Sequence, residues 1–430
     1  MDAEKNSVLD VAIVGGGPAG VSAGLELAKL PNLKIGLFES EPELGGIPRS
    51  CHVFFGMRDR ARLYTGPMYA RKLDKIIRRT AVVIYTKSTV LDVEPGNSGE
   101  LHRILVASKG GLKSYDCRFI ILATGCFEIS RQARRIPGTR PVGIFTTGSL
   151  QQIVNLSHHK PGKKALVIGS EIVSLSNVLT LKKAGIAIAG MVEENEHLQT
   201  YRMGAIPESL FYRYPIYKGT SVKEILGRRR VEAVELIRKK DQSLFQVECD
   251  MVVFSGKFRP DSAFIDNTPI EIDSSSLGPS VDSQLVTSVP NIFAAGNVLH
   301  GADMHDLCAL EGKKAAQNII TKLESDKPLK RKGIFLRAEP PIRYVVPQWF
   351  DPSETEVYRG TWLHPGYEIQ VDHTLINSVL EAWSGNERIW HHAFRRLIGN
   401  YRVHLPIWKF AWDRADPKKE VYLKVQNTAA

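Results

Sequence analysis

The sequence predicts an α/β chain in which one strand–turn–helix–strand unit occurs twice before the composition changes. Three observations carry this. Val11–Val14 is a short apolar run that stops at Gly15-Gly16-Gly17-Pro18-Ala19-Gly20, after which Val21, Leu25 and Ala28 recur at near-helical spacing. Lys164–Ile168 opens a second copy, passing through Gly169 and a helix to about Ala184 before a strand that ends at Val192-Glu193. Beyond Pro328 and the basic run Lys330-Arg331-Lys332 lie all six tryptophans, at 349, 362, 383, 390, 408 and 412. The expected organisation is two Rossmann-like domains, the first interrupted by the second. Residues 1–140 and 258–328 form one, 141–257 the other, and 329–430 a Trp-rich C-terminal α+β extension.

A chain of 430 residues with 43% hydrophobic content can bury two or three cores, because domains usually hold roughly 100–200 residues. No stretch approaches the roughly 18–20 consecutive apolar residues of a membrane span, and Met1–Asn6 lacks the basic-then-apolar order of a secretion signal. The expectation is a cytoplasmic protein that is not integral to a membrane. Cys51, Cys117, Cys126, Cys249 and Cys308 are scattered and never spaced as CxxC or CxxxxC, so no zinc site or redox dithiol is signalled. The net charge of +11 is distributed over short separate clusters such as Arg58-Arg60-Arg62 and Arg228-Arg229-Arg230 rather than a continuous stripe. No nucleic-acid partner is expected. Solvated faces account for most of the charge, with an anionic substrate or an acidic membrane surface as alternatives.

The first glycine turn has the chemistry of a pyrophosphate site. Gly15 makes the turn, Gly17 lets the backbone approach the phosphates, and Gly20 lets the helix lie close on the strand. The amides and positive dipole end of the helix start favour an anion. Ile35–Phe38 then ends in Glu39, where an acid can accept the ribose hydroxyls of an adenosine.

Further stretches carry a resemblance. These are Glu43–Pro48 with its Gly45-Gly46 pair, Thr65-Gly66-Pro67, Ile120–Gly125, Ile136–Pro141, Gly143–Gly148 and Thr287–His300. From Val11 to Lys314 the chain resembles the glutathione-reductase-like flavoproteins of the pyridine nucleotide-disulfide oxidoreductase superfamily, in the group without a redox disulfide. Within it, the FAD subunits of hydrogen cyanide synthase and of opine and proline dehydrogenases are nearest. The resemblance, rather than spacing, implies FAD as cofactor, held by Gly15, Gly17, Pro18, Ala19, Gly20, Glu39, Gly45, Gly46, Ala123, Thr124, Gly125, Gly296 and Asn297. Asn297 stands where the superfamily has aspartate, and asparagine can still hydrogen-bond a ribityl hydroxyl. The resemblance also implies a second flavoprotein subunit as partner, and a small-molecule substrate such as an amine, amino acid or 2-hydroxy acid. No cysteine follows Cys308, so a cysteine-ligated iron-sulfur cluster in the tail is excluded on ligand count.

In the second turn, Gly169-Ser170-Glu171-Ile172-Val173-Ser174, only the first glycine is kept. Glu171 stands where backbone should approach pyrophosphate and costs about 1–3 kcal/mol of nucleotide affinity through like charge. The expectation is weak or absent NAD(P) binding, with Glu193 a solvated strand end. For catalysis the sequence offers Cys51, His52 and His300, with His305 nearby, although packing roles outweigh chemistry for each. In the tail, 342–346 and 421–425 read as strands and 375–397 as one or two helices, with the tryptophans filling a small core more readily than an interface. The leading function is an FAD-dependent dehydrogenase or oxidase component. An NAD(P)H-dependent reductase and a non-catalytic docking subunit are the alternatives.

Overall fold

The computed structural model describes residues 7–51, 53–97, 99–200, 209–211, 213–324, 331, 333–358 and 366–427. The first sheet runs in parallel through Val83–Thr86, Ile35–Glu39, Ser7–Val14 and Gly111–Leu122. The last of these strands is twelve residues long and changes partner along its length. Its first half pairs with the antiparallel His102–Ser108, and its end pairs in parallel with Ile292–Ala294. Residues near 120 and near 292 therefore finish at the same sheet edge as the glycine turn. Ser7–Val14 is buried on both faces over Val11–Ile13, which explains its unbroken apolar run.

Two helices pack beside that edge. Pro18–Leu27 begins with proline at its first turn, where a missing N–H costs nothing. His305–Glu324 lies against it so closely that a Cβ on Gly312 would fall 2.0 Å from the Ala19 carbonyl oxygen. The core between them is one continuous cluster that also takes in Tyr344 and Val346 from the tail.

A two-stranded ribbon, Cys126–Glu128 against Phe258–Pro260, joins this body to the second parallel sheet. That sheet runs Ile144–Thr146, Met251–Phe254, Lys164–Ile168, Ala187–Val192, Ile216–Tyr217, with a separate apolar cluster on each face. A three-stranded antiparallel sheet, Thr220–Leu226, Ala233–Arg238 and Leu244–Glu248, flanks it.

The tail holds a five-stranded and a three-stranded sheet around its own core. Trp390, Trp408 and Trp412 pack on that core, as expected of space-filling tryptophans, whereas Trp362 lies outside the described residues, as do Lys330 and Lys332. The helices expected at 375–397 are instead a hairpin of Leu375–Ser384 and Glu387–Leu397. Ser384 pairs with Glu387 across a two-residue turn, with Gly385 at φ +58°. Gly-Asn is a hairpin dipeptide, and it outweighs apolar spacing compatible with either period. Among the described residues the tail contains strands and short 3-10 turns and no α-helix.

Candidate functional site

A cavity of about 550 Å³ opens where the first glycine turn, the Gly46 turn and the ends of the central strands converge. Its wall includes Gly15, Gly17, Pro18, Ala19, Glu39, Gly46, Ala123, Thr124, Gly125 and Asn297. The glycines do separable work. A Cβ at Gly15, where φ is +108°, would fall 2.3 Å from the Ala123 carbonyl oxygen, and one at Gly20 would fall 1.9 Å from that of Gly15. A Cβ at Gly17 would meet no protein atom within 4 Å, because Gly17 faces the open cavity. Gly20, Gly45 and Gly296 stand behind the wall. Gly45 donates its N–H to the Gly16 oxygen at 2.8 Å, and Gly296 donates to Glu311 Oε2 at 2.8 Å.

Glu39 is buried at its strand end, with Oε2 accepting the Gly16 N–H at 2.8 Å and Oε1 that of Glu41 at 2.8 Å. Those bonds fix the carboxylate at the cavity wall. Asn297 Oδ1 accepts from the Asp303 N–H at 3.0 Å and the Cys308 thiol at 3.1 Å. These residues fit FAD: a backbone cradle open at Gly17, a fixed acid for ribose, and helix-start amides for phosphate. FAD bound there supplies a two-electron acceptor, while the protein supplies orientation and electrostatics.

Several wall residues were not foreseen. Ser88–Leu91 arrive from the link after Val83–Thr86, the strand paired with Ile35–Glu39, and from the start of the strand Thr89–Glu94; Asp261 and Phe264 come from beyond the ribbon, and Gln152 and Leu156 from the second body. Arg49 brings a cation to the wall, 3.2 Å from Glu43 and 15% exposed, three residues past the Gly45-Gly46 pair. Only Arg49 had a nearby sequence signal.

The catalytic candidates fare differently. Cys51 is buried away from the cavity, its Sγ 3.7 Å from Ser176 Oγ, and burial raises its thiol pKa, so it is no ready thiolate. His52 lies outside the described residues. His300 is 3% exposed and stacked on Tyr344 at 5.7 Å, with Nδ1 3.1 Å from the Gly301 oxygen and Nε2 3.2 Å from Arg402. Both ring nitrogens face protein groups, and His300 is not among the residues that line the cavity. His305 does line it, packed on Phe55 at 4.6 Å, and burial lowers its pKa to about 4, which leaves a neutral imidazole near pH 7. Among the described residues no three His, Cys, Asp or Glu side chains are grouped to hold a metal.

Glu311 sits behind the site. Burial opposes its charge, but hydrogen bonding to His300 and the charge of Arg402 lower its pKa to about 2 from an ordinary 4.5. A depressed carboxylate stabilises the fold above its unfolded pKa and loses that contribution as pH falls through the folded one. Glu311→Gln is therefore expected to cost up to roughly 3 kcal/mol near neutrality. Unfolding titrations should show that gap to wild type narrowing from pH 4.5 toward pH 2; a constant gap would contradict it.

The second turn repeats the first in detail. Glu193 is not solvated but 3% exposed, with Oε2 accepting from Ser170 Oγ and Oε1 accepting the Asn195 N–H at 2.8 Å. This is the placement of Glu39, reached because the Ser170 hydroxyl replaces an amide as donor. Glu171 folds its carboxylate between two glycines. A Cβ on Gly169 would meet Oε2 at 2.5 Å, and one on Gly256 would meet Oε1 at 2.1 Å. Burial raises its pKa, and Ser174 Oγ, 3.2 Å away, and Arg134 counter that.

Comparison with known proteins agrees with this geometry. Residues 9–319 match the family described as pyridine nucleotide-disulphide oxidoreductase. The chain is 23% identical over 341 residues to ferredoxin–NADP reductase 1 of Lysinibacillus sphaericus, covering 75% of this chain and 93% of that one. It is 29% identical over 192 residues to hydrogen cyanide synthase subunit HcnB of Pseudomonas protegens, covering 43% and 38%. Thioredoxin reductase of T. acidophilum superposes with a TM-score of 0.62 at 19% identity, over 74% of this chain and all of that one. L-proline dehydrogenase of P. horikoshii superposes at 0.54 and 22% identity, over 75% and 57%. The shared fold, the glycine cradle with its paired acid and the match across both parallel sheets together make the chain an FAD-dependent oxidoreductase of the pyridine nucleotide-disulphide oxidoreductase family.

Proposed function

We propose that the protein is the FAD component of a dehydrogenase or oxidase, taking a hydride from a small polar substrate such as an amine, amino acid or 2-hydroxy acid. The observation that carries this reading is Glu171. Its carboxylate stands between Gly169 and Gly256 in the second turn, on the ground a nucleotide pyrophosphate would need, and repels it. Electrons then enter from the substrate side. The cavity wall outside the glycine cradle supports a polar substrate: Gln152, Ser50, Asp261 and the neutral His305 border it, and His305 is in the form that can accept a hydrogen bond or a proton there. The positions offered for FAD are those of the first cradle, with Arg49 added.

The alternative of an NAD(P)H-dependent reductase has the names of relatives such as ferredoxin–NADP reductase in its favour. A partner subunit is supported by the likeness to HcnB, itself named as a subunit. No described helix is long and apolar enough to cross a membrane.

Anaerobic mixing of the holoprotein with a panel of amines, amino acids and 2-hydroxy acids is expected to bleach the oxidised-flavin band with at least one of them. NADH and NADPH are expected to leave it unchanged on the same timescale. Rapid bleaching by either nucleotide would overturn the reading, and co-purification of a second flavoprotein would assign substrate oxidation to the pair.

A further inference from the structure

The tail meets the FAD-binding body through buried charge as well as through apolar packing. Arg402, just before the strand Val403–Leu405, is 14% exposed and makes ion pairs with Asp303, Glu311 and Glu368. Its Nη2 lies 2.9 Å from Glu311 Oε1 and 3.2 Å from His300 Nε2. Asp303 and Glu311 belong to the FAD-binding body, and each also grips the late flavin segment. Glu311 Oε2 accepts the Gly296 N–H, while the Asp303 N–H donates to Asn297 Oδ1. One cation from the tail is thus one residue removed from both Gly296 and Asn297. Asn297 borders the cavity, and Gly296 leads into it. A tail that merely covered apolar surface would not need a buried arginine, since buried ion pairs gain little stability over apolar packing.

We propose that Arg402 is a positioning residue for the flavin: a cation supplied by the C-terminal region that, by pairing with Glu311 and Asp303, fixes the Gly296–Asn297 segment where the cofactor binds. Without it, the carboxylates of Asp303, Glu311 and Glu368 are left buried without their shared counter-charge, and the segment that Asp303 and Glu311 hold relaxes. This rests on FAD binding and is independent of which substrate is oxidised.

The test is FAD titration of the apoprotein, read by flavin fluorescence, with visible spectra and two-electron midpoint potentials of the holoproteins. R402M is expected to bind FAD at least about tenfold more weakly, because truncating one partner of a buried charge pair is costly. A displaced absorption band and midpoint potential should accompany the loss. R402K keeps the charge without the planar fork and should fall between R402M and wild type. Adding E311Q to R402M removes one stranded carboxylate and should recover part of the loss, since coupled residues are non-additive. Melting of apo and holo forms separates positioning from bulk stability: the holo form of R402M should lose more than the apo form. Should R402M not fold, R402K, E311Q and R402K/E311Q form the same cycle. Wild-type affinity and spectrum in R402M, R402K no better than R402M, or additive losses would each overturn the proposal.

Discussion

Gly17→Ala is expected to leave a folded apoprotein that binds FAD roughly 5- to 150-fold more weakly, the equivalent of about 1–3 kcal/mol of steric overlap. The substitution is informative because protein and cofactor constrain this position separately. Gly17 has φ −74° and ψ −175°, extended backbone that alanine adopts without strain, and its added Cβ would touch no protein atom within 4 Å. Reduced freedom of the unfolded chain should even raise apoprotein stability by about 0.4–1 kcal/mol. The space it would fill is the cavity itself, where backbone must approach pyrophosphate. Melting curves with and without FAD measure both effects, since ligand stabilisation follows the logarithm of ligand concentration over Kd. Gly20→Ala supplies the contrast. Its Cβ would strike the Gly15 carbonyl oxygen at 1.9 Å, so fold and binding should fail together. FAD retained by Gly17→Ala as tightly as by wild type would remove the pyrophosphate from this turn.

The contrast between those two glycines also marks what the sequence could convey. Gly15, Gly20 and Glu39 were legible because their duties are local: a turn, a helix lying on its own strand, an acid at the end of the next strand. Wall residues such as Gln152, Leu156 and Phe264 reach the cavity only through the ribbon and the strand order, which no local pattern encodes. His300 and His305 are five residues apart on either side of a turn, and whichever faced the cavity depended on where the helix began. It begins at His305, and His300 is claimed by Arg402 and Tyr344, residues from the distant tail. Glu193 was misread for a related reason: its burial depends on a serine hydroxyl 23 residues earlier in the chain. In the tail, the Gly385-Asn386 turn was the available signal, and apolar spacing concealed it.

The correction at Glu193 changes what removal of Glu171 should do. The second unit keeps a turn glycine, a helix start, and an acid placed as Glu39 is placed in the first. Glu171→Gly deletes the carboxylate that stands between Gly169 and Gly256. It leaves Arg134, whose guanidinium donates to the Ser255 oxygen at 3.1 Å, as a nearby cation. Relief of about 1–3 kcal/mol of repulsion corresponds to roughly 5- to 150-fold in nucleotide affinity. The gain should favour NADH over NADPH, because a strand-end acid accepts a ribose hydroxyl and repels a 2′-phosphate. Glu171→Gln removes the charge but keeps the bulk, and should recover only part of the gain. The measurement is equilibrium titration of each variant with both nucleotides, followed by anaerobic mixing to detect flavin bleaching. Tighter NADH binding with no bleaching would mean that the plug is the barrier to binding while the two bodies are not arranged for transfer. No gain in affinity for Glu171→Gly would instead place the barrier at Ser174, the remaining departure from the glycine pattern, where a Ser174→Gly substitution would have to supply what Glu171→Gly did not.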